Sequence, residues 1–207
     1  MVAIHPRLRK PVQSASARER IDNAAYELFS RHGVRAVGVD AVVARSGVAK
    51  RTLYLHYPSK ETLVLAFLQQ REEQWTRAWL QEGVERHAGS PTERLLAVFD
   101  VFDRWFHRSD FEGCAFVKVL LEHADPAHAL RKSAERHIET VRDFLERLAE
   151  EARVSDPDGF ARQWQILMIG SIVAAYAGDR DAARRAKKLG VLLLADAGIR
   201  SGGRVQL

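Results

Sequence analysis

Fourteen residues, Gly47-Val48-Ala49-Lys50-Arg51-Thr52-Leu53-Tyr54-Leu55-His56-Tyr57-Pro58-Ser59-Lys60, constrain this chain more than any other stretch. A glycine that suits a tight turn stands at one end, and a Pro-Ser helix start stands near the other. Between them there is room for one short helix and nothing else. Two cations, a hydroxyl, a phenol and an imidazole crowd that helix. It therefore buries one side, through Val48 and Leu53, and offers a polar face carrying Lys50, Arg51, Thr52, Tyr54 and His56.

The surrounding pattern is helical throughout. Ile21, Ala24, Ala25, Leu28 and Phe29 recur at helical spacing from Ala17, and Gly33 follows where a left-handed cap favours glycine. A short helix is expected from Val39 to Arg45, burying Val39, Val42 and Val43. Ser46-Gly47 then turns the chain into a third helix, Lys50 to His56. Ser59 caps a long fourth helix that reaches roughly Val84, with Glu61 in its first turn. Ser90-Pro91-Thr92-Glu93 is a capping box that opens a helix to about His107. Further helices are expected over Cys114–His123, from Asp125-Pro126 to about Arg153, from Asp156-Pro157 to about Ala177, and over Asp181–Ala197. No stretch alternates with period two for long enough to form a strand. The reading is all-α, with about nine helices. Its divisions are a basic arm (1–16), a helix-turn-helix unit (17–64), a helical unit (65–200) and a tail (201–207).

Charge is unevenly distributed. Residues 1–60 hold 11 Lys and Arg against 4 Asp and Glu, whereas the rest of the chain is slightly acidic within a net charge of +5. Such an excess suits a surface that meets phosphate, and equally a merely solvated one. Arg7, Arg9 and Lys10 lie in the basic arm, which reads either as disordered or as reaching an adjacent groove. With one cysteine no intrachain disulfide can form, which favours a reducing compartment. No run approaches the ~20 apolar residues of a membrane helix, so a soluble, cytoplasmic protein is expected.

Two short helices joined by a glycine turn and packed on a preceding helix make a helix-turn-helix. Lys50 and Arg51 can reach guanine acceptors or phosphates, Thr52 a phosphate or a thymine methyl, and Tyr54 and His56 a phosphate. Lys60 adds a cation beside the positive end of the fourth helix. The run Gly-Val-x-x-x-Thr-Leu-Tyr-x-His-Tyr-Pro-Ser-Lys-Glu, residues 47–61, resembles the N-terminal domain of the tetracycline-repressor (TetR) family of bacterial transcriptional regulators. The close resemblance spans about residues 18–67. It implies that Lys50, Arg51, Thr52, Tyr54 and His56 face a double-stranded DNA operator while Lys60 clamps backbone. It further implies a homodimer through about 156–177 and 181–197, where Ile169, Ile172, Val173, Tyr176, Val191, Leu192 and Leu194 supply apolar interface or core surface. A small-molecule effector enclosed by the C-terminal helices is implied as well. Two positions depart from the family pattern: Gly38 and Ala49 stand where members often place capping Thr or Ser residues. Tyr57 matches a core aromatic of the family.

Trp79, Phe99, Trp105, Tyr176 and their neighbours form an aromatic-rich set that reads as core, with part of it lining a cavity on the family resemblance. The preferred lining is Phe102, Phe106, Phe116, Leu120, Trp164 and Met168; few charges interrupt these segments, which favours an apolar or amphipathic ligand. Cys114 reads as a buried thiol, or else as one lining a pocket or sensing redox state. Glu122, His123, Asp125 and His128 match no hydrolytic zinc spacing, and no cofactor or metal is expected. Nothing resembles a nucleophile elbow or a phosphate-cradling loop. The expectation is a DNA-binding regulator, most simply a repressor, and not an enzyme. The alternatives are an activator, a regulator without a small ligand, a helical-bundle enzyme or metal carrier with a basic N-terminal domain, and a helical adaptor.

Overall fold

Several helix starts in this chain are set by side chains that satisfy the backbone groups left over at helix ends. In the computed structural model, which describes residues 15–86 and 89–199, ten α-helical segments and one π-helical segment are present, with no strand among the described residues. The expected arm positions Arg7, Arg9 and Lys10 and the tail 201–207 lie outside the described residues.

Helix α1 spans Ala17–His32, with Ser16 as its cap. The Ser16 amide donates to Glu19 Oε2 at 2.9 Å and the Glu19 amide returns a bond to Ser16 Oγ at 3.2 Å, a reciprocal capping box. The helix stops at Gly33, whose φ of 81° is open to glycine. Helix α2 covers Val39–Ser46 and α3 covers Lys50–His56; Gly47 between them is left-handed, and its amide donates to the Val43 carbonyl. Helix α4, Lys60–Arg71, starts from Ser59, whose hydroxyl accepts from the Thr62 amide at 3.1 Å.

Beyond Arg71 the winding continues as a π-helix, Glu72–Gln81, and then as α5, Glu82–Glu85. Counted as one rod, Lys60–Glu85 is the expected long fourth helix, and nine rods result. The wider winding is a local departure that apolar periodicity does not encode. The remaining helices are α6 (Pro91–Phe106), α7 (Ala115–Glu122), α8 (Ala129–Glu151), α9 (Pro157–Tyr176) and α10 (Ala182–Asp196). One expected start is displaced. Asp125 does not cap α8; its carboxylate accepts from the Ala127 amide in a turn, His128 Nδ1 accepts from Leu130, and the helix begins at Ala129.

The chain forms two compact units, one built from residues up to Thr76 with Ala115–Arg136, the other from Arg77–Cys114 with His137 onward. In the first, α2, α3 and α4 pack on α1 around Ile21, Ala25, Phe29, Val42, Leu53, Leu63 and Phe67. Phe67 meets the rings of Tyr26 and Phe29 edge-on at 5.7 and 5.5 Å. Val39 and Val43, expected inside, are only half-buried, because eight residues of α2 turn a single narrow stripe through Val42 and Ser46 toward α1. In the second unit α10 packs on α6 and α9. Gly190 permits the closest approach there: a Cβ would fall 2.8 Å from Trp164 and 3.2 Å from Phe99.

Within the helix-turn-helix, α2 starts at Gly38 and α3 at Ala49 without a side-chain cap. Ala49 already has the extended backbone of a capping residue, φ −66° and ψ 144°. Ala49→Ser should therefore stabilise the protein by about 1 kcal/mol, seen as a higher denaturant midpoint with an unchanged m-value. An unchanged midpoint would show that a hydroxyl at this position does not reach the first-turn amides of α3.

Candidate nucleic-acid interface

Seven residues are too few to hold a helix in water by backbone bonding alone, and α3 has no capping side chain at its start. Its conformation comes from what it packs against. Val48 and Leu53 are buried in the first unit, and Tyr57, which ends the helix, is buried as well. The Tyr57 amide donates to the Leu53 carbonyl at 2.8 Å, and its hydroxyl donates to the Asp22 carboxylate on α1. The Arg18 guanidinium lies 5.8 Å over the Tyr57 ring and 3.9 Å from Asp22. Burial, reinforced by the bond to Asp22, pushes the Tyr57 phenol above its usual pKa and keeps it a donor. Tyr57, expected as a packing residue, thus also ties the end of α3 to α1 by a hydrogen bond.

With that side fixed, the other is free. Lys50, Arg51, Tyr54 and His56 are exposed, while Thr52 is half-buried. Tyr54 shows 42% of its surface and Leu55, absent from the expected face, shows 75%. Lys50 is not an idle cation: its ammonium sits 2.7 Å from Asp40 in the first turn of α2, and that carboxylate raises its pKa. Arg51 has no ion pair among the described residues. A second pair, Arg45 to Glu27 at 2.6 Å, fastens the end of α2 to α1. The face can donate to guanine or phosphate through Arg51, to phosphate through Tyr54 and His56, and can offer an apolar contact through Leu55.

Lys60 opens α4 and is half-buried. It lines a cleft of about 300 Å³ within the first unit, together with Val34, Arg35, Glu61, Val64, Glu122, His123, His128 and Leu130. His128 Nε2 lies 3.5 Å from Glu61, and the rings of His123 and His128 are 4.5 Å apart. His123 Nδ1 is bonded to the Val119 carbonyl. These imidazoles serve local bonding, and among the described residues no group of three or more His, Cys, Asp or Glu side chains is placed to hold a metal ion.

Of the residues expected to line an effector cavity, Phe102, Phe106, Trp164 and Met168 belong to the second unit and are buried. Phe102 and Phe106 form a ring cluster with Trp105, and Trp164 packs between Phe99 and Phe160, both at 5.3 Å. Phe116, buried, and Leu120, half-buried, belong to the first unit. Cys114 is half-buried rather than fully enclosed. No described helix is long and apolar enough to cross a membrane.

The same arrangement is found in known proteins. Residues 21–67 match the family of bacterial regulatory proteins of the tetR type, and residues 91–189 match the tetracyclin repressor-like C-terminal domain. The solved structure of a TetR transcriptional regulator from Streptomyces avermitilis superposes with a TM-score of 0.79 at 32% identity, over 90% of this chain and all of that one. A TetR-family regulator from Streptomyces coelicolor shares the fold, with a TM-score of 0.80 at 24% identity over 87% of this chain and 95% of that one. The HTH-type transcriptional regulator YjdC of Escherichia coli is 24% identical over 158 residues, 75% of this chain and 81% of the relative. The HTH-type transcriptional activator FasR of Mycolicibacterium smegmatis is 30% identical over 128 residues, 60% of this chain and 56% of the relative. Members of this family are DNA-binding regulators and not enzymes. Helix-turn-helix, helical C-terminal region and extended sequence match together place the chain in the TetR family of bacterial transcriptional regulators.

Proposed function

We propose that the protein is a homodimeric, cytoplasmic repressor that grips a near-palindromic operator through the major groove and is released by a small apolar or amphipathic ligand. The observation that carries the reading is the exposed Arg51–Tyr54 side of α3, on a helix whose opposite side is buried. Lys50, Arg51 and Thr52 are proposed to meet base edges and phosphates, Tyr54 and His56 phosphates, and Lys60 a backbone phosphate beside the start of α4.

Support for the dimer comes from α9 and α10. Ile166 and Val173 on α9, and Leu189 and Leu192 on α10, are large apolar side chains left in solvent, Ile166 at 69% and Leu192 at 65% exposure. Residues 166, 170 and 173 share one face of α9, as 189 and 192 do on α10. A monomer gains nothing from such a stripe, whereas a two-fold interface buries it twice. Of the residues expected as interface or core, Val173, Tyr176 and Leu192 are exposed, Ile169 and Val191 half-buried, and Ile172 and Leu194 buried in the core. A two-fold pair sets recognition helices about 34–36 Å apart, one duplex turn.

The ligand half of the reading rests on Trp164. Its ring is fully buried, and its indole Nε1 has no hydrogen-bond partner among the described residues. Buried indole N–H groups ordinarily find an acceptor. An amphipathic molecule with one acceptor oxygen, lodged among Phe102, Phe106, Trp164 and Met168, would supply it. Release follows if the ligand prefers the conformation that binds operator less tightly. The FasR likeness supports an activator as the second reading, and a reporter transcript that rises on operator occupancy would select it.

Selection of duplexes from random DNA, repeated with candidate ligands, tests the whole. Paired inverted half-sites should emerge, and a ligand should lower occupancy; unpaired sites would overturn the dimer. Ile166→Asp combined with Leu192→Asp should yield a monomer by sedimentation and cost more than tenfold in operator affinity. An intact dimer would move the interface elsewhere. Asp40→Asn frees Lys50, so it should tighten binding a few-fold and steepen the plot of log affinity against log salt by about 0.9. Unchanged affinity and slope would remove Lys50 from the phosphate contacts.

A further inference from the structure

Leu55 is the exposed residue of α3 with no polar group to offer. Exposure alone decides nothing, since Leu121 is as open at 78% and isolated surface leucines are ordinary. Register decides it. With Lys50 set at 0° and about 100° per residue, Tyr54 falls near 40°, Arg51 near 100° and Leu55 near 140°. On the same wheel half-buried Thr52 lies near 200° and buried Leu53 near 300°. Buried Leu53 makes about 120° the direction away from the core, and Leu55 lies about 20° from it, nearer than Lys50 or Tyr54, while exposed His56 falls apart from this stripe at about 240°. Arg51 and Leu55 are four residues apart on one stripe.

We propose that Leu55 is a specificity-determining residue that reads thymine C5-methyl groups in the major groove. The proposal rests on α3 being the groove-reading helix. Leu55 cannot bond a phosphate, and pressing it against one would strip water from the anion without compensation. Along the major-groove floor the thymine methyl is the apolar feature on offer. Packing a leucine against it removes both from water. Four residues of helical rise put Leu55 about 6 Å from Arg51, so the methyl lies within about two base pairs of the base that Arg51 contacts.

The test uses the 207-residue chain and a duplex selected by it from random DNA. Each thymine of one half-site is replaced in turn by deoxyuridine, which deletes the methyl and keeps every hydrogen-bonding group. Wild type should lose about fourfold in affinity at one such position, the worth of about one buried methyl. Leu55→Ala should bind the normal duplex about fourfold more weakly and be indifferent to that same substitution. Thermal unfolding of Leu55→Ala should match wild type, because the side chain is in solvent. Equal losses for both proteins at every position, or a uniform weakening of Leu55→Ala with no methyl dependence, overturns the proposal. The underlying reading fails separately: if Arg51→Ala binds the selected duplex like wild type, α3 is not the reader, and the role of Leu55 falls with it.

Discussion

The seven-residue helix α3 is not self-supporting, and the DNA-binding surface exists only because α1 holds it in shape. Leu53 is wholly buried under the helix, and Tyr57 anchors its end through Asp22. The start of α3 has no capping side chain, so these contacts replace what a cap would contribute. Because inward residues fix the rotation of the helix, they also fix which side chains face outward. A change at Leu53 or Tyr57 alters the reading face without touching any residue on it.

Electrostatics divide the labour on that face. Asp40 holds Lys50 at 2.7 Å, while Arg51 is unpaired among the described residues. A surface pair of this kind is worth little to folding, yet it keeps a carboxylate beside the exposed side of α3 and weakens any contact Lys50 makes with an anion. Gly38 and Ala49 withhold the hydroxyls that would otherwise add contacts at the ends of α2 and α3. On the proposed reading, Arg51 and Leu55 remain as a polar and an apolar reader on one stripe.

Much of this was legible in the sequence, for a local reason. Ser16, Ser59, Ser90 and Asp156 each accept from a first-turn amide three residues on, so helix starts were written within four residues. The same locality fixed α3 at Lys50–His56 and turned Val48 and Leu53 inward. What sequence missed depends on longer range or on subtler winding. Asp125-Pro126 has the composition of a cap but forms a turn, because His128 supplies the acceptor for Leu130. The π-helical Glu72–Gln81 leaves no periodic trace. The Lys50–Asp40 pair crosses a turn, and the cleft around Lys60 joins residues 34–35 to residues 122–130. The exposure of Leu55 follows from its spacing to Arg51, yet its apolar character kept it off the expected face.

The claim that α1 imposes the shape of α3 is tested most directly by amide hydrogen exchange on Tyr57→Phe beside wild type. Phenylalanine keeps the ring and removes the bond to Asp22, worth about 1 kcal/mol. Faster exchange is expected at the amides of Leu53 and Tyr57, with unchanged protection in α6, α9 and α10 and a parallel loss of operator affinity. Unaltered protection in α3 with unaltered DNA binding would contradict it.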